Sequence, residues 1–276
     1  MMGIKKGRLG ALTIDIVAFI AIFIVSQIVV GFIVSHLFEG ASWSGGTVTD
    51  FGFFATYLCA MVPILILATR YESTRYQCSM PIKAAWRGFD PVMVLWGLIL
   101  MISVTVVISP ITSMLPHSDR TMPLGGWTLV TACVIAPVFE ELIFRGRLFS
   151  ILNRTTSSLV SAMLTALIFG AVHGSVSVMI DGFVAGMIFS YVYIVKGSII
   201  APILLHMCNN AIAYAMMVLS YQNKGVAEIL GESVNMLIVY VVAIVITIVG
   251  SVVVVRTLRR HNRPIVVEAE ENVVEK

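Results

Sequence analysis

The chain has 276 residues, of which 58% are hydrophobic and 12% charged, with a formal net charge of +3 and a mean hydropathy of +0.97. Soluble domains average about 45–50% apolar and about 25% charged residues, so the composition argues against a soluble domain and predicts a polytopic membrane protein. The small net charge gives no indication of a nucleic-acid partner, and the four cysteines show no CxxC or secreted-framework spacing, which predicts reduced thiols.

Several apolar stretches approach the ~20 residues that a membrane-spanning helix needs. In chain order they are 11–37, 51–69, 91–115, 127–150, 157–174, 176–195, 198–220 and 232–256. The first follows a basic start but exceeds the ~7–15-residue core of a signal peptide, so it is predicted to be a retained helix. The expected fold class is therefore all-α, with about eight transmembrane helices in a polytopic membrane protein.

The basic residues predict the orientation of these helices. If the spans alternate in direction, all of the 18 lysines and arginines except Arg120 and Lys224 lie on one side of the membrane. Basic residues concentrate on the cytoplasmic side, so both termini are predicted to be cytoplasmic. The polar end of the chain, 257–276, is expected to be a solvated tail, and the short connections leave no room for a second, soluble domain.

The fourth stretch contains ionisable residues that a lipid-facing helix would not carry. Glu141 and Arg145 are four residues apart with the glutamate first, the favourable order for an ion pair on one helix face. Glu140 lies about 100° around the helix from Glu141, so Arg145 cannot pair equally well with both carboxylates. Ionisable groups in a bilayer usually face the bundle interior, where Glu140 is a candidate proton acceptor. Pro137 is expected to kink the helix beside the glutamates.

Two further stretches contain histidine and asparagine in apolar surroundings. His173 lies in the fifth stretch, whereas His206 and Asn210 lie four residues apart, and hence on one face, in the seventh. Asn209 is a weaker candidate. A single buried histidine is usually a packing residue, but polar residues on three separate helices together predict one convergent site inside the bundle.

Two chemistries fit such a site. In the first, Glu140 accepts a proton from water with help from His173, and the resulting hydroxide attacks a carbonyl. His206 and Asn210 then donate hydrogen bonds to the developing oxyanion. In the second, Glu140 and the two histidines bind a zinc ion that activates the water. The sequence has no HExxH pair, so the metal-free route without a cofactor is favoured and zinc is the alternative.

Two aspartates within the stretches are interpreted as structural. Asp15, near the cytoplasmic end of the first stretch, is expected at the membrane interface, and Asp181 lies near the outer end of the sixth. Gly182 and Gly186 form a GxxxG pattern that permits close helix packing. No GxSG-type serine and no facing pair of aspartates lies within the spans, which argues against serine and aspartic intramembrane proteases.

Three short motifs follow one another on these helices. The sequences EELIFR (140–145), FGAVH (169–173) and HMCNN (206–210) match the patterns EExxxR, FxxxH and HxxxN. In this order and spacing they resemble the CAAX-protease and bacteriocin-processing family, also called CPBP or Abi, which includes the type II CAAX prenyl endopeptidases. The resemblance covers about residues 125–220.

The resemblance implies a membrane fold with the active site inside the helix bundle and peptide-bond hydrolysis by a glutamate-activated water. By the family pattern, Glu140 is the catalytic base and His173 assists it. His206 and Asn210 stabilise the oxyanion, and the Glu141–Arg145 pair supports the site.

The expected division of the chain follows the motifs. It comprises three N-terminal transmembrane helices (1–124), a CAAX-protease-like core (125–220), and the last transmembrane helix with a polar cytoplasmic tail (221–276). The expected function is an intramembrane endopeptidase that cleaves a membrane-associated protein or peptide, either a CAAX-type tail or a precursor, within the lipid bilayer. The alternative is a non-catalytic bacteriocin-immunity or scaffold protein that retains the site. A transporter is disfavoured because no inverted repeat is apparent.

Helix length raises one geometric difficulty. At ~1.5 Å rise per residue, Glu140 and His206 lie about 15 and 12 Å from the inner ends of their predicted helices, but His173 lies more than about 22 Å from its own. The fifth helix is therefore predicted to be tilted, to begin below the membrane, or to break at Gly170 or Gly174.

Overall fold

A computed structural model describes residues 6–37, 50–78, 81–86, 90–115, 123–219, 229–230 and 235–260. Its main helices are α1 (Lys6–Leu37), α2 (Asp50–Tyr76), α3 (Pro91–Thr112), α4 (Gly126–Leu152), α5 (Ser158–Ala171), α6 (Val176–Lys196), α7 (Ile200–Val218) and α8 (Met236–Arg260). Among the described residues there is no strand, so the predicted all-α class is confirmed.

Within the described ranges, 7 helices, all of those named except α5, are long and apolar enough to span a membrane. They make the chain an integral, multi-pass membrane protein. The predicted fifth span is the exception, because α5 has only 14 residues. Such a helix rises about 21 Å, less than the ~30 Å hydrocarbon core. The part of the chain that the structure describes thus has seven helices of spanning length and one shorter helix, against the expected count of about eight spans.

The fifth stretch is short because the chain reverses at Gly174. Helix α5 ends at Ala171, and Gly174 has a φ of 96°, a conformation that residues with a Cβ rarely adopt. The Ser175 hydroxyl then caps α6 by accepting a hydrogen bond from the Val178 N–H. Of the three geometries predicted for this helix, the structure has the break, and it falls at Gly174.

Helices α5 and α6 pack closely because two glycines meet. A Cβ on Gly170 would overlap the Met179 carbonyl oxygen, and a Cβ on Gly182 would lie 2.9 Å from the Gly170 Cα. The two backbones are therefore in contact, as small residues at a helix interface allow. Gly182 of the GxxxG pattern takes part in this contact.

The described helices form two compact units. One contains α1, α2 and α4, and the other contains α3, α5, α6, α7 and α8. These units combine helices that are distant in the sequence, whereas the expected division at 1–124, 125–220 and 221–276 follows the order of the motifs. That division stays a prediction.

In the first unit, the start of α2 holds the start of α4. The Asp50 carboxylate accepts hydrogen bonds from the backbone N–H groups of Trp127 (3.0 Å) and Thr128 (2.6 Å). N–H groups in the first turn of a helix have no acceptor within that helix, so Asp50 caps α4 from a neighbouring helix. The Trp127 ring packs at the same place against Phe51 and Phe54, with centroids 5.3 and 4.9 Å apart.

Two fully buried carboxylates hold the same unit together. Asp15 of α1 accepts a hydrogen bond from the Tyr71 hydroxyl of α2 at 2.7 Å. Asp15 is enclosed by protein because its partners lie on another helix. Its predicted depth, near the membrane interface, stays a prediction. Glu72 of α2 forms salt bridges with Arg147 (2.9 Å) and Arg154 (3.0 Å). These contacts tie α2 to both of its neighbours in the unit.

In the second unit, the end of α6 is tied to the start of α3. Lys196 donates a hydrogen bond to the Asp90 carboxylate at 2.6 Å, and the same carboxylate caps α3 by accepting from the Val92 N–H. The hydrogen bond from Lys196 holds the pKa of Asp90 below its usual range. Gly197 closes α6 with a φ of 58°, and α7 begins just beyond it at Ile200.

Several predictions concern residues outside the described ranges. The connections 38–50, 116–126 and 221–231 are described only in part, and the tail is not described beyond Arg260. The first residues of the expected tail, 257–260, belong to α8. The orientation of the helices and the cytoplasmic location of both termini stay predictions.

Replacing Gly170 with alanine is expected to lower the thermal stability of the chain. The added Cβ overlaps the Met179 carbonyl oxygen and lies 3.1 Å from the Phe183 backbone nitrogen. Overpacking of this kind costs about 1–3 kcal/mol. The measurement is the unfolding temperature in detergent, with Gly31→Ala as control because nothing lies within 4 Å of its added Cβ. Equal unfolding temperatures would contradict the close approach.

Candidate active site

Helix α4 changes its winding on both sides of the two glutamates. Wider, π-helical turns at Thr131–Ile135 and Phe144–Phe149 flank an α-helical segment, Ala136–Ile143. Hydrogen bonds in a π-turn reach five residues back instead of four. Pro137 follows the first of these turns and has no N–H to donate, so the wider turn accommodates the proline without ending the helix. Turns of this kind are frequent at functional sites.

Glu141 and Arg145 form an ion pair within α4, as their spacing predicts. Arg145 Nη1 lies 2.8 Å from Glu141 Oε1, and both side chains are 0% exposed. Glu140 also interacts electrostatically with this guanidinium, but less strongly than Glu141. A buried charge is tolerated when it is paired, so the contact allows both residues to be enclosed.

Glu140 is half-buried and contacts a residue of α2. Its Oε1 atom accepts a hydrogen bond from the Tyr57 hydroxyl at 2.8 Å. The two residues are 83 positions apart in the sequence, so no local spacing relates them. The contact lies entirely within the first unit.

In the second unit, helices α3, α5, α6 and α7 line a cavity of about 240 Å³. Four candidate site residues from the sequence line it: His173, His206, Asn209 and Asn210. The aromatic rings of Phe169 and Phe189 form part of the wall. The cavity thus combines a few polar groups with an apolar lining, as small-molecule and peptide sites commonly do.

The turn after α5 fixes the tautomer of His173. Its Nδ1 atom lies 2.7 Å from the Phe169 carbonyl oxygen. A carbonyl oxygen only accepts hydrogen bonds, so Nδ1 carries the proton and Nε2 of the neutral ring has the lone pair. This exposed imidazole can therefore accept a proton, or bind a metal ion, through Nε2.

His206 is held between aromatic rings. Its side chain is 3% exposed, Phe189 stacks on it at a centroid distance of 4.6 Å, and Phe169 meets it edge-on at 5.8 Å. On the same helix, Asn209 Nδ2 donates to Asn210 Oδ1 at 3.4 Å. Imidazole and amide N–H groups in a mostly apolar wall are suited to stabilise a developing negative charge.

The sequence-predicted site residues are divided between the two units. Glu140 and the Glu141–Arg145 pair belong to the first, while His173, His206 and Asn210 line one cavity of the second. Within each unit, no three described His, Cys, Asp or Glu side chains are grouped to bind a metal ion. Zinc uses at least three protein ligands. The metal-free route and the zinc alternative both stay predictions.

Sequence reasoning missed two residues near these groups. Asp181, interpreted as structural, lines the same cavity as the two histidines. An acidic residue in an apolar helix is a functional candidate by default, so that signal could have included it. Tyr57 had no comparable signal, because tyrosine is common near the ends of membrane helices.

Removing Arg145 alone is expected to destabilise the chain more than removing both members of its ion pair. Arg145→Leu deprives the buried Glu141 carboxylate of its arginine, and breaking a buried pair costs about 3–5 kcal/mol. Glu141→Gln/Arg145→Leu removes both charges and is expected to recover most of that loss. The measurement is the unfolding temperature and folded yield in detergent. A double variant no more stable than Arg145→Leu would contradict this account.

Comparisons with known proteins match the region of the motifs. Residues 123–212 match the family model described as type II CAAX prenyl endopeptidase Rce1-like. All three motifs fall within this segment. No solved structure gives a significant match to the chain.

Several curated proteins are similar to part of the chain, among them the following two. An uncharacterized 24.3 kDa protein of Escherichia coli is 30% identical over 95 residues, which cover 33% of this chain and 44% of that protein. The membrane-embedded CAAX protease MroQ of Staphylococcus aureus (strain USA300) is 28% identical over 134 residues, 45% of this chain and 53% of that protein. The chain thus spans about half the length of these relatives. Over residues 123–212 it resembles the type II CAAX prenyl endopeptidases, and the family resemblance predicted from its motifs is confirmed.

Proposed function

We propose that this chain is an intramembrane endopeptidase that hydrolyses a peptide bond of a membrane-associated protein or peptide. One observation carries the proposal. The segment that matches the endopeptidase family, 123–212, contains both Glu140 of α4 and the histidines and asparagines of the cavity. The seven apolar helices support a substrate that is itself at the membrane.

In the proposed reaction, Glu140 takes a proton from a water molecule while the water oxygen attacks the carbonyl carbon of the scissile bond. When the tetrahedral intermediate collapses, the C–N bond breaks and the proton passes to the leaving amine. His173 assists as a second proton acceptor through Nε2. The hydrogen bond from its Nδ1 to the Phe169 carbonyl supports this role, because it selects the required tautomer.

His206 and Asn210 are proposed to stabilise the oxyanion of that intermediate. Both line the same cavity, and the stacking of His206 on Phe189 supports a fixed direction for its N–H group. Donors held in advance stabilise a transition state without reorganising during the reaction. The buried Glu141–Arg145 pair is proposed to support α4 and not to react.

The proposed substrate is a CAAX-type protein tail or a precursor peptide, which the chain meets in the lipid bilayer. The distribution of basic residues supports a topology with both termini in the cytoplasm. We favour the reaction without a metal ion. Loss of cleavage in the presence of a chelator, restored by zinc, would instead assign Glu140, His173 and His206 as zinc ligands.

Glu140→Gln is expected to abolish cleavage of the natural substrates while leaving the chain in the membrane. Glutamine keeps the size of the side chain and an acceptor oxygen for the Tyr57 hydroxyl, but it cannot take up a proton. The measurement compares peptide termini in native membranes that contain the wild type or the variant at matched expression. Termini that vanish in the variant identify both the activity and its substrates.

The matched control is Asp90→Asn, the same acid-to-amide change at the start of α3, where asparagine can still cap the helix. It is expected to retain every wild-type terminus. Identical termini for the wild type and Glu140→Gln, with the biological phenotype intact, would contradict the proposal. That result would favour a non-catalytic bacteriocin-immunity or scaffold protein.

The rate of hydrolysis is expected to fall on acidification. A carboxylate acts as a base only when it is ionised, so protonation of Glu140 removes the activity. The measurement is the initial rate of cleavage of an internally quenched, farnesylated peptide with a CAAX end, in proteoliposomes between about pH 8 and about pH 3. A rate that does not change across this range would count against Glu140 as the base.

A further inference from the structure

One face of α2 contacts α4 through three polar side chains. Asp50 caps the first turn of α4, Tyr57 donates to Glu140, and Glu72 binds Arg147. The contacts occur in the same order along both helices, so α2 and α4 run in the same direction here. Asp50 and Tyr57 are seven residues apart, which places them on one helix face.

The middle contact joins the proposed base to a residue outside the three motifs. We propose that Tyr57 is a positioning residue that holds the Glu140 carboxylate for proton transfer, an inference that rests on the proposed function. The bond runs from the Tyr57 hydroxyl to Oε1 of Glu140 at 2.8 Å, which is an ordinary length for an O–H···O hydrogen bond.

A carboxylate base needs a fixed orientation as well as the correct charge. The Glu140 side chain turns about three torsions, so an anchored Oε1 limits the positions that the carboxylate can take. A carboxylate offers about four acceptor positions on its two oxygens, so it can hold Tyr57 and a water molecule at once. The tyrosine ring itself turns about only two torsions, which makes it a rigid support.

The position of Tyr57 is itself fixed by the packing of α2. Phe54, one turn earlier on the same face, packs on the Trp127 ring at 4.9 Å. Further along this face, Met61, Ile64 and Ala68 are buried. A well-packed helix therefore carries the phenol to α4, and sites on packed helices are more precise than sites on loops.

Tyr57→Phe removes one oxygen atom and tests the role directly. The variant is expected to lower kcat for the farnesylated CAAX peptide about 10- to 100-fold, as displacement of a reacting group does, with KM within about twofold of the wild type. Tyr57 acts through the base, so the chemical step slows while substrate binding is unchanged. The full chain is assayed in proteoliposomes.

The matched control is Tyr71→Phe. It removes the same hydroxyl from the same helix, and that hydroxyl also bonds to a carboxylate, Asp15, at 2.7 Å. Asp15 has no part in the proposed chemistry, so kcat is expected to stay within about twofold of the wild type. Equal losses of kcat in both variants would show that the loss comes from disturbed packing of α2, and would overturn the inference.

A double-mutant cycle tests whether Tyr57 acts through Glu140. Glu140→Asp keeps a carboxylate but shortens its reach toward the phenol. If Tyr57 positions Glu140, then Tyr57→Phe in the Glu140→Asp background lowers kcat by much less than it does in the wild type. Losses that multiply would assign Tyr57 an independent role and overturn the inference.

Failure of the inference and failure of the proposed function give different results. If Glu140→Gln is inactive and Tyr57→Phe matches the wild type, only the role of Tyr57 is wrong. If Glu140→Gln is as active as the wild type, the proposed function fails and the inference fails with it. If the wild type does not cleave the peptide, the rate is measured instead as the appearance of Glu140-dependent termini in native membranes. The absence of such termini would contradict both the inference and the proposed function.

Discussion

The fully buried ion pair between Glu141 and Arg145 is the contact on which helix α4 depends. A charged side chain at the centre of a bilayer costs at least about 2.5–3.5 kcal/mol, and α4 carries three ionisable residues within six positions, 140–145. Because Glu141 and Arg145 lie four residues apart on one helix, the charge of each is compensated within α4. Glu140 occupies an adjacent face, so it is available for a contact with a different helix.

That contact follows from the way α2 and α4 are joined. Asp50 caps one end of α4 and Glu72 engages Arg147 toward the other, so the helices are fixed at two points along their length. The central segment between the two π-helical turns then lies against α2. Tyr57 reaches Glu140 there because both ends of the pair of helices are already constrained. Structural contacts thus determine the surroundings of the proposed base.

The sequence predicted the features that depend on local spacing and missed those that depend on distant residues. Apolar length located the helices to within several residues, and a separation of four positions was enough for the Glu141–Arg145 pair. The Tyr57–Glu140 bond joins residues 83 positions apart, and no local pattern encodes it. The partners of Asp15 were missed for the same reason, since its buried position depends on the tyrosines of α2.

The fifth helix is shorter than its apolar stretch for a local reason. Apolar residues continue past the end of α5, so hydropathy alone extended the predicted stretch to residue 174. The chain nevertheless reverses at Gly174, whose positive φ ends the helical path. His173 is therefore in a turn and not in a helix interior, and its Nδ1 atom meets the Phe169 carbonyl. The break that shortened the helix also sets the tautomer that the proposed reaction requires.

The carboxylates of the first unit differ in the kind of partner they have. Asp15, Glu72 and Glu141 each lie within salt-bridge distance of an arginine, at 3.7, 2.9 and 2.8 Å. A cation in contact with a buried carboxylate compensates its charge, which suits a structural role. Glu140 accepts a hydrogen bond from the phenol of Tyr57, besides its electrostatic interaction with Arg145. The contact with Tyr57 can therefore orient the carboxylate of the proposed base, while the contacts with arginine and the cap by Asp50 hold the helices of the unit together.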